Sequence, residues 1–455
     1  MISAMLQYIQ RSPDCFHAVE ELRQRLLREG YTELRPGRWQ LTAGGKYFTT
    51  KNGSSLMAFR IPQGAPAGFL LTASHSDSPC FRLRDHAELA GEYIRLSAER
   101  YGGMINDSWL DRPLSVAGRV LVRREGGLEA RLVDLKRDVA LIPRVAIHLN
   151  RETNNGAKYD PARDLVALYA AGTGSGSFYR EVARTADCAP EDVVAGDLVL
   201  YNNQPGTVWG PEGEFVSAPR LDDLACVFAC AEGFLTAQER DMVPVLCVFD
   251  NEEIGSETKQ GAASVFLPET LAAISEALGL SAADHRRLLA DSMMLSCDNG
   301  HARHPNHPEL ADTNEAPVLN GGVVVKHSPR YATDGVSAAV FAELCRRAEV
   351  PVQHYANRPD QMGGATLGNI ADTKLPIPTV DIGMAQLAMH SCFETMGSRD
   401  VEAFVRAVRA CYESSLRFTP EGVALRYRGR EARTPQVKPI NPTGRRIFFL
   451  RRPAA

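Results

Sequence analysis

The chain has 455 residues, more than one ordinary domain, and 44% hydrophobic with 23% charged residues is the balance of a soluble globular protein with a large core. Its 51 Lys and Arg nearly cancel its 55 Asp and Glu, and the formal charge of -4 leaves no basic field to gather nucleic acid. The start lacks the pattern of a cleaved leader, no apolar run approaches membrane-spanning length, and the ten cysteines are scattered without a CxxC pair, so the expectation is a cytoplasmic protein with free thiols and no membrane partner.

Ser12-Pro13-Asp14 predicts the cap of a helix whose apolar stripe is Phe16, Val19, Leu22 and Leu26 and which Gly30 ends. Two β-prone runs between Tyr47 and Ile61 flank Asn52-Gly53, a strong hairpin signal, and Gly68 to Ala73 reads as a buried strand that delivers His75. From about Glu92 to Phe215 the pattern changes to short alternating runs such as Arg119 to Arg123 and Ala130 to Val133, which predict a β-rich insert at 92–216. The Gly- and Ser-rich stretch from Gly172 to Asp187 reads as a long loop within it. After Pro219 helix and strand alternate again: a helix from about Asp222 to Ala237, a buried strand Val243 to Phe249, and helices near 335–348 and 400–416. The expected fold is therefore α/β, a central mostly parallel, mixed sheet flanked by helices, built from 1–91 and 217–428 around the insert, with an irregular tail at 429–455 in which Arg445 to Leu450 reads as a short strand.

Chemistry concentrates at strand ends. In Thr72-Ala-Ser-His75-Ser-Asp77 a buried strand stops as His and Asp appear two residues apart, on one face, where a carboxylate can accept the second ring N–H of a metal-bound imidazole. Alone, that spacing also suits a packed structural histidine. In Phe249-Asp250-Asn-Glu252-Glu253 three carboxylates crowd a strand end, an arrangement that cations or full solvation must relieve. Adjacent glutamates point apart, so one can ligate a metal while the other reaches the attacking water. Asp222, Asp298 and His390 offer donors of the same kind; singly they read as an N-cap, a loop acid and a core histidine. Together, two histidines and three acids suit a pair of zinc ions with one bridging carboxylate.

These segments resemble the aspartyl aminopeptidases, a branch of the dinuclear zinc exopeptidases, from the N-terminus to about residue 420. The resemblance is carried in order by HSDSPCFRLR at 75–84, YGGMINDSWLDRPLSVAGRV at 101–120, IPRVAIHLNRE at 142–152, PRLDD at 219–223, FDNEEIGSE at 249–257, DNGHARHPN at 298–306, RYATD at 330–334 and QLAMHS at 386–391. It implies that His75 and Asp298 hold one zinc, Glu253 and His390 the other, and that Asp222 bridges them. Glu252 would be the general base and Asp77 would orient His75. His148 looks like the histidine that enters a neighbouring subunit's active site. Lys326 is the candidate cation for an acidic first residue of a small peptide substrate, Tyr331 would steady the oxyanion, and Gly364 lies in a Gly-rich run that lets backbone approach a ligand. The run His327-Ser-Pro-Arg330 between Lys326 and Tyr331 departs from the family pattern. The resemblance also implies that the insert serves dimerisation in a homo-oligomer built from dimers, a dodecameric shell.

Rival readings share the metal ligands and differ in what grips the substrate. A carboxypeptidase or deacylase of the same architecture disagrees with the motif order, and an aminopeptidase for neutral first residues is the nearest alternative. A catalytically silent assembly protein would have no chemical reason to keep all five ligands together with Glu252.

Overall fold

The computed structural model describes residues 1–172, 176–238, 240–361, 363, 364 and 366–427, together with the backbone of 430 and 431. The tail expected at 429–455 lies outside the described residues except for that short backbone stretch, and the strand expected at 445–450 lies outside them entirely.

The first capped helix forms where its signals predict, over Cys15–Arg28. The Asp14 carboxylate accepts the Phe16 and His17 N–H groups, and Phe16, Val19, Leu22 and Leu26 are buried. Strands Lys46–Lys51 and Ser55–Arg60 then pair antiparallel across a turn in which both Asn52 (φ 58°) and Gly53 (φ 70°) are left-handed, the geometry that matches strand twist.

These strands open a nine-stranded mixed sheet. Its order is Thr32–Glu33, Lys46–Lys51, Ser55–Arg60, Val243–Phe249, Phe69–His75, Met293–Cys297, Thr379–Gly383, Val323–His327 and Val352–Ala356. The four strands from Val243–Phe249 to Thr379–Gly383 run parallel to one another. Successive side chains of a strand face opposite sides, and here each side has its own core. Leu70 joins Phe228, Phe234, Phe341 and Phe404 on one face, whereas Phe69, Leu71 and Ala73 join Phe266, Leu271 and Leu367 on the other. Helices Leu221–Thr236 and Asp400–Tyr412 supply the first core, and Phe266–Ala277 supplies the second.

A second, all-antiparallel sheet of seven strands runs Val193–Asn202, Cys80–Leu89, Tyr93–Tyr101, Ala167–Ala171, Ala140–Leu141, Pro113–Arg124, Gly127–Asp134. Val193–Asn202 also pairs with Pro113–Arg124, so six of the strands close on themselves. The sheet takes in Cys80–Leu89, upstream of residue 92. Within the stretch expected to be a loop, Ser177–Thr185 is a helix: Phe178 and Val182, one turn apart, are buried against this sheet's core, and that burial outweighs the Gly and Ser residues before it. A small sheet of Thr207–Trp209, Phe215–Ala218, Glu394–Gly397, Ala385–Leu387 and Gly300–His301 joins the two larger ones. All ten cysteines are free, and no helix of the described residues is long and apolar enough to cross a membrane.

Candidate metal centre

The parallel strands end side by side, and their carboxyl ends carry the reactive side chains. His75 is the last residue of its strand and lies in register with Phe249, after which Asp250, Asn251, Glu252 and Glu253 follow. Met293–Cys297, on the other side of the His75 strand, leads directly to Asp298. This is the edge at which open α/β sheets place their ligands.

Two groups of donors meet here. One ligand atom from each of His75, Asp222, Asp223 and Asp298 lies within 4.8 Å of the others, and a second group consists of Asp222, Glu253 and His390. Asp222 belongs to both. Its Oδ1 is 3.7 Å from His75 Nε2 and its Oδ2 is 3.5 Å from His390 Nε2, which is itself 3.4 Å from Glu253 Oε2. Ligands about 2.0–2.2 Å from one zinc ion lie at such mutual separations.

Hydrogen bonds fix both imidazoles in the form a cation needs. His75 Nδ1 donates to the Asp77 main-chain carbonyl at 3.0 Å, and His390 Nδ1 donates to the Gly103 carbonyl at 2.8 Å. A carbonyl can only accept, so Nδ1 carries a proton in each ring and Nε2 is the atom turned to the carboxylates, the one a metal ion would take. Asp222 Oδ1, Asp223 Oδ1 and Glu253 Oε1 are buried without a hydrogen-bond partner among the described residues. Burial and the charges of Asp298, Asp77 and Asp222 push Glu252 up to about 8, against the pull of His75, and burial raises Glu253 well above the ordinary carboxylate range. Buried carboxylates this close are stable as anions only beside cations, so the donor set fits a pair of zinc ions.

The Asp77 carboxylate does more than its spacing predicts. It is 3.4 Å from His75 Nδ1, while it accepts the N–H groups of Glu252 and Glu253, both at 3.1 Å, and the Tyr101 hydroxyl at 2.6 Å. Asp77 thus holds the turn that presents both glutamates, and its carbonyl orients His75. Sequence reasoning missed three residues here. Asp223 joins the first donor group and accepts the His75 N–H at 3.1 Å. Glu394 accepts the N–H of Asp222 at 3.0 Å and that of His390 at 2.7 Å. Tyr101 reaches Asp77 from the second sheet. Asp223 adjoins a predicted ligand and was a fair candidate, whereas Glu394 and Tyr101 act through contacts 172 and 24 residues apart that no local pattern marks.

Of the candidate substrate residues, Lys326 and Tyr331 lie beside this centre. Lys326 is buried, with Nζ 3.6 Å from Asp298 Oδ2 and 5.6 Å from the centre of the Tyr331 ring. Burial opposes its charge, but Asp298, Tyr331, Asp381 and Asp222 together outweigh that and keep the ammonium protonated. Gly364 is exposed and lines a cavity of about 370 Å³ with His301, Tyr355 and Gln386. His148 is in neither donor group. It lies in an exposed turn whose neighbours Ile147 and Leu149 are also exposed.

Comparison with known proteins agrees with this geometry. The family model described as aminopeptidase I zinc metalloprotease (M18) matches residues 8–412. A probable M18 family aminopeptidase 2 of Clostridium acetobutylicum is 40% identical over 411 residues, covering 87% of this chain and 94% of its own length. Among solved structures, a chain from the complex of Ape4 and Nbr1 superposes with a TM-score of 0.87 at 31% identity, covering 90% of this chain and 84% of that one. The mApe1 dodecamer of S. cerevisiae gives a TM-score of 0.79 at 29% identity, with 90% and 95% covered. The chain belongs to the M18 family of zinc metalloproteases and is a metal-dependent aminopeptidase.

Proposed function

We propose that the protein binds two zinc ions per subunit and removes acidic residues, Asp or Glu, from the amino ends of small peptides. The observation that carries this reading is the double allegiance of Asp222, whose two oxygens face one imidazole Nε2 each. His75, Asp298 and Asp222 would hold one ion, and Glu253, His390 and Asp222 the other; Asp223 is a further donor to the first. Bound zinc would supply Lewis-acid polarisation of the scissile carbonyl and a lower pKa for the attacking water. Glu252, fixed through its main chain by Asp77, takes the proton from that water and returns it to the leaving amine. Tyr331 steadies the developing oxyanion, and Gly364 lets the peptide approach the backbone.

Lys326 supports the acidic preference: a buried, permanently charged ammonium beside the centre lowers the cost of enclosing a carboxylate side chain and offers nothing to an apolar one. The catalytic domain is assigned to 1–91 and 217–428 and dimerisation to 92–216, much of which forms the closed antiparallel sheet. The exposed turn bearing His148 supports its insertion into a partner's site in a homo-oligomer, for which the dodecamer of the yeast relative is the guide. Free cysteines throughout support a reducing, cytoplasmic location.

The test is turnover of amides that differ only in their first residue, with zinc per chain measured on the same preparation. Asp and Glu should exceed Leu and Ala by at least about tenfold in kcat/KM, and Lys326→Met should erase most of that margin. Equal turnover of Leu and Asp amides by a zinc-loaded enzyme would sink the acidic preference and leave the aminopeptidase intact.

A further inference from the structure

We infer that Asp381 is a positioning residue that sets the shape of the substrate pocket by tying its two loops to the central sheet. The inference rests on the reading that the Tyr331 and Gly364 segments meet the bound peptide, Tyr331 at the oxyanion and Gly364 along the backbone. Asp381 lies in strand Thr379–Gly383, which pairs with the strand leading to Asp298, and it is fully buried. Its Oδ2 accepts the N–H of Ala332 at 2.7 Å, immediately after Tyr331. Its Oδ1 accepts the Thr366 hydroxyl at 2.7 Å, two residues after Gly364. Its own N–H donates to the Thr333 hydroxyl at 2.8 Å. The two loops also meet directly, where the Arg330 guanidinium donates to the Gly363 carbonyl at 2.8 Å.

Two local features point the same way. Thr366 occupies the N-cap of helix Leu367–Asp372, where its hydroxyl would ordinarily accept a helix N–H, yet it makes no such bond and donates to Asp381 instead. A departure from the locally best bond is expected where another demand prevails. Gly368, in the same Gly-rich run, approaches the sheet so closely that a Cβ there would fall 2.4 Å from Asp381 Oδ1 and 2.5 Å from Ser296 Oγ. Its small size therefore admits the carboxylate beneath the loop. A fully buried carboxylate is tolerated only while its donors stay in place. Displacement of either loop strips Asp381 of a partner, so sheet and loops hold one another in a single arrangement.

The experiment compares kcat and KM for an Asp amide in the zinc-loaded enzyme carrying Thr366→Val, Asp381→Ala, Asp381→Asn or Tyr331→Ala, with zinc content measured for each. Thr366→Val cuts one tether and keeps the side chain's shape, so KM should rise about three- to tenfold with kcat and zinc little changed. Asp381→Ala cuts both and should raise KM more, on the order of a hundredfold if it folds. Asp381→Asn can still accept from Ala332 and donate to Thr366, so it should stay within about twofold of the parent enzyme. An unchanged KM in Thr366→Val, or an Asp381→Asn as impaired as Asp381→Ala, would overturn the tether. Tyr331→Ala separates the two levels: if it lowers kcat/KM while Thr366→Val leaves KM unchanged, the tether alone fails, and if it leaves kcat/KM unchanged, the pocket reading fails and takes the tether with it.

Discussion

The two donor groups share Asp222 but are built differently. The inner one, His75, Asp222, Asp223 and Asp298, is wholly buried, and two of its members sit at the ends of adjacent parallel strands. The outer one relies on His390, whose side chain is 31% exposed and whose backbone is left-handed (φ 65°), as is that of Ala388 (φ 55°). A non-glycine residue stays in that region only when its surroundings over-determine it. Glu394 on its N–H and Gly103 on its ring do so here. One side of the centre is therefore fixed by sheet geometry, and the other is held by a few hydrogen bonds and partly open to solvent.

The largest expected effect asks whether the two groups act as one centre. Glu252→Gln should lower kcat by about 10²–10⁴-fold with zinc per chain unchanged, checked by turnover and metal analysis together. Activity near the parent level would overturn the general-base role proposed for Glu252. The next test separates them. His390→Ala should release only the outer ion, lowering zinc from about two per chain to about one, whereas His75→Ala should strip the inner site and lower thermal stability as well, because a ligand carboxylate cluster is left buried without its partner. A slow chelator should likewise withdraw zinc in two phases from the parent enzyme, the outer ion first. A single phase would erase the distinction between the sides.

The smallest effect belongs to the scaffold and gives the comparison its baseline. Asp14 is in neither donor group, caps helix Cys15–Arg28 and pairs with His17 at 2.7 Å. Asp14→Ala should cost about 1–2 kcal/mol of stability with zinc content unchanged. Burial opposes the His17 charge, but Asp14 outweighs it and raises the imidazole above its ordinary 6.5. A raised value means the pair's stabilisation is complete below 6.5 and is lost as pH rises through the folded-state value. Unfolding measured at about pH 5.5 and about pH 9 should thus show the larger penalty for Asp14→Ala at the lower pH.

In both groups the legible residues were those whose signals are local. A run such as Phe69 to Ala73 declares a buried strand, and His75 and Asp298 follow strand ends at once. Carboxylates at the end of Val243–Phe249 announced themselves by their mutual repulsion. What escaped was whatever depended on distant chain segments. Glu394 reads as an ordinary strand acid until Asp222 and His390 are seen above it, and Asp381 as an unexplained charge inside Thr379–Gly383 until the loops at 332 and 366 close over it. The helix Ser177–Thr185 was hidden by its Gly- and Ser-rich approach, since only the packing of Phe178 and Val182 reveals a helical face.

Tyr101 and Gly103 give the second sheet a standing that its position in the chain conceals. Tyr101 ends strand Tyr93–Tyr101 of that sheet, and its hydroxyl holds the carboxylate that arranges both glutamates; two residues on, the Gly103 carbonyl sets the ring of His390. The closed antiparallel unit is consequently no detachable module. Replacing 92–216 by a short linker would take the Tyr101 hydroxyl from Asp77 and the Gly103 carbonyl from His390, so a trimmed single-sheet version of this enzyme would need new residues for both before it could work, however well its remaining sheet folded.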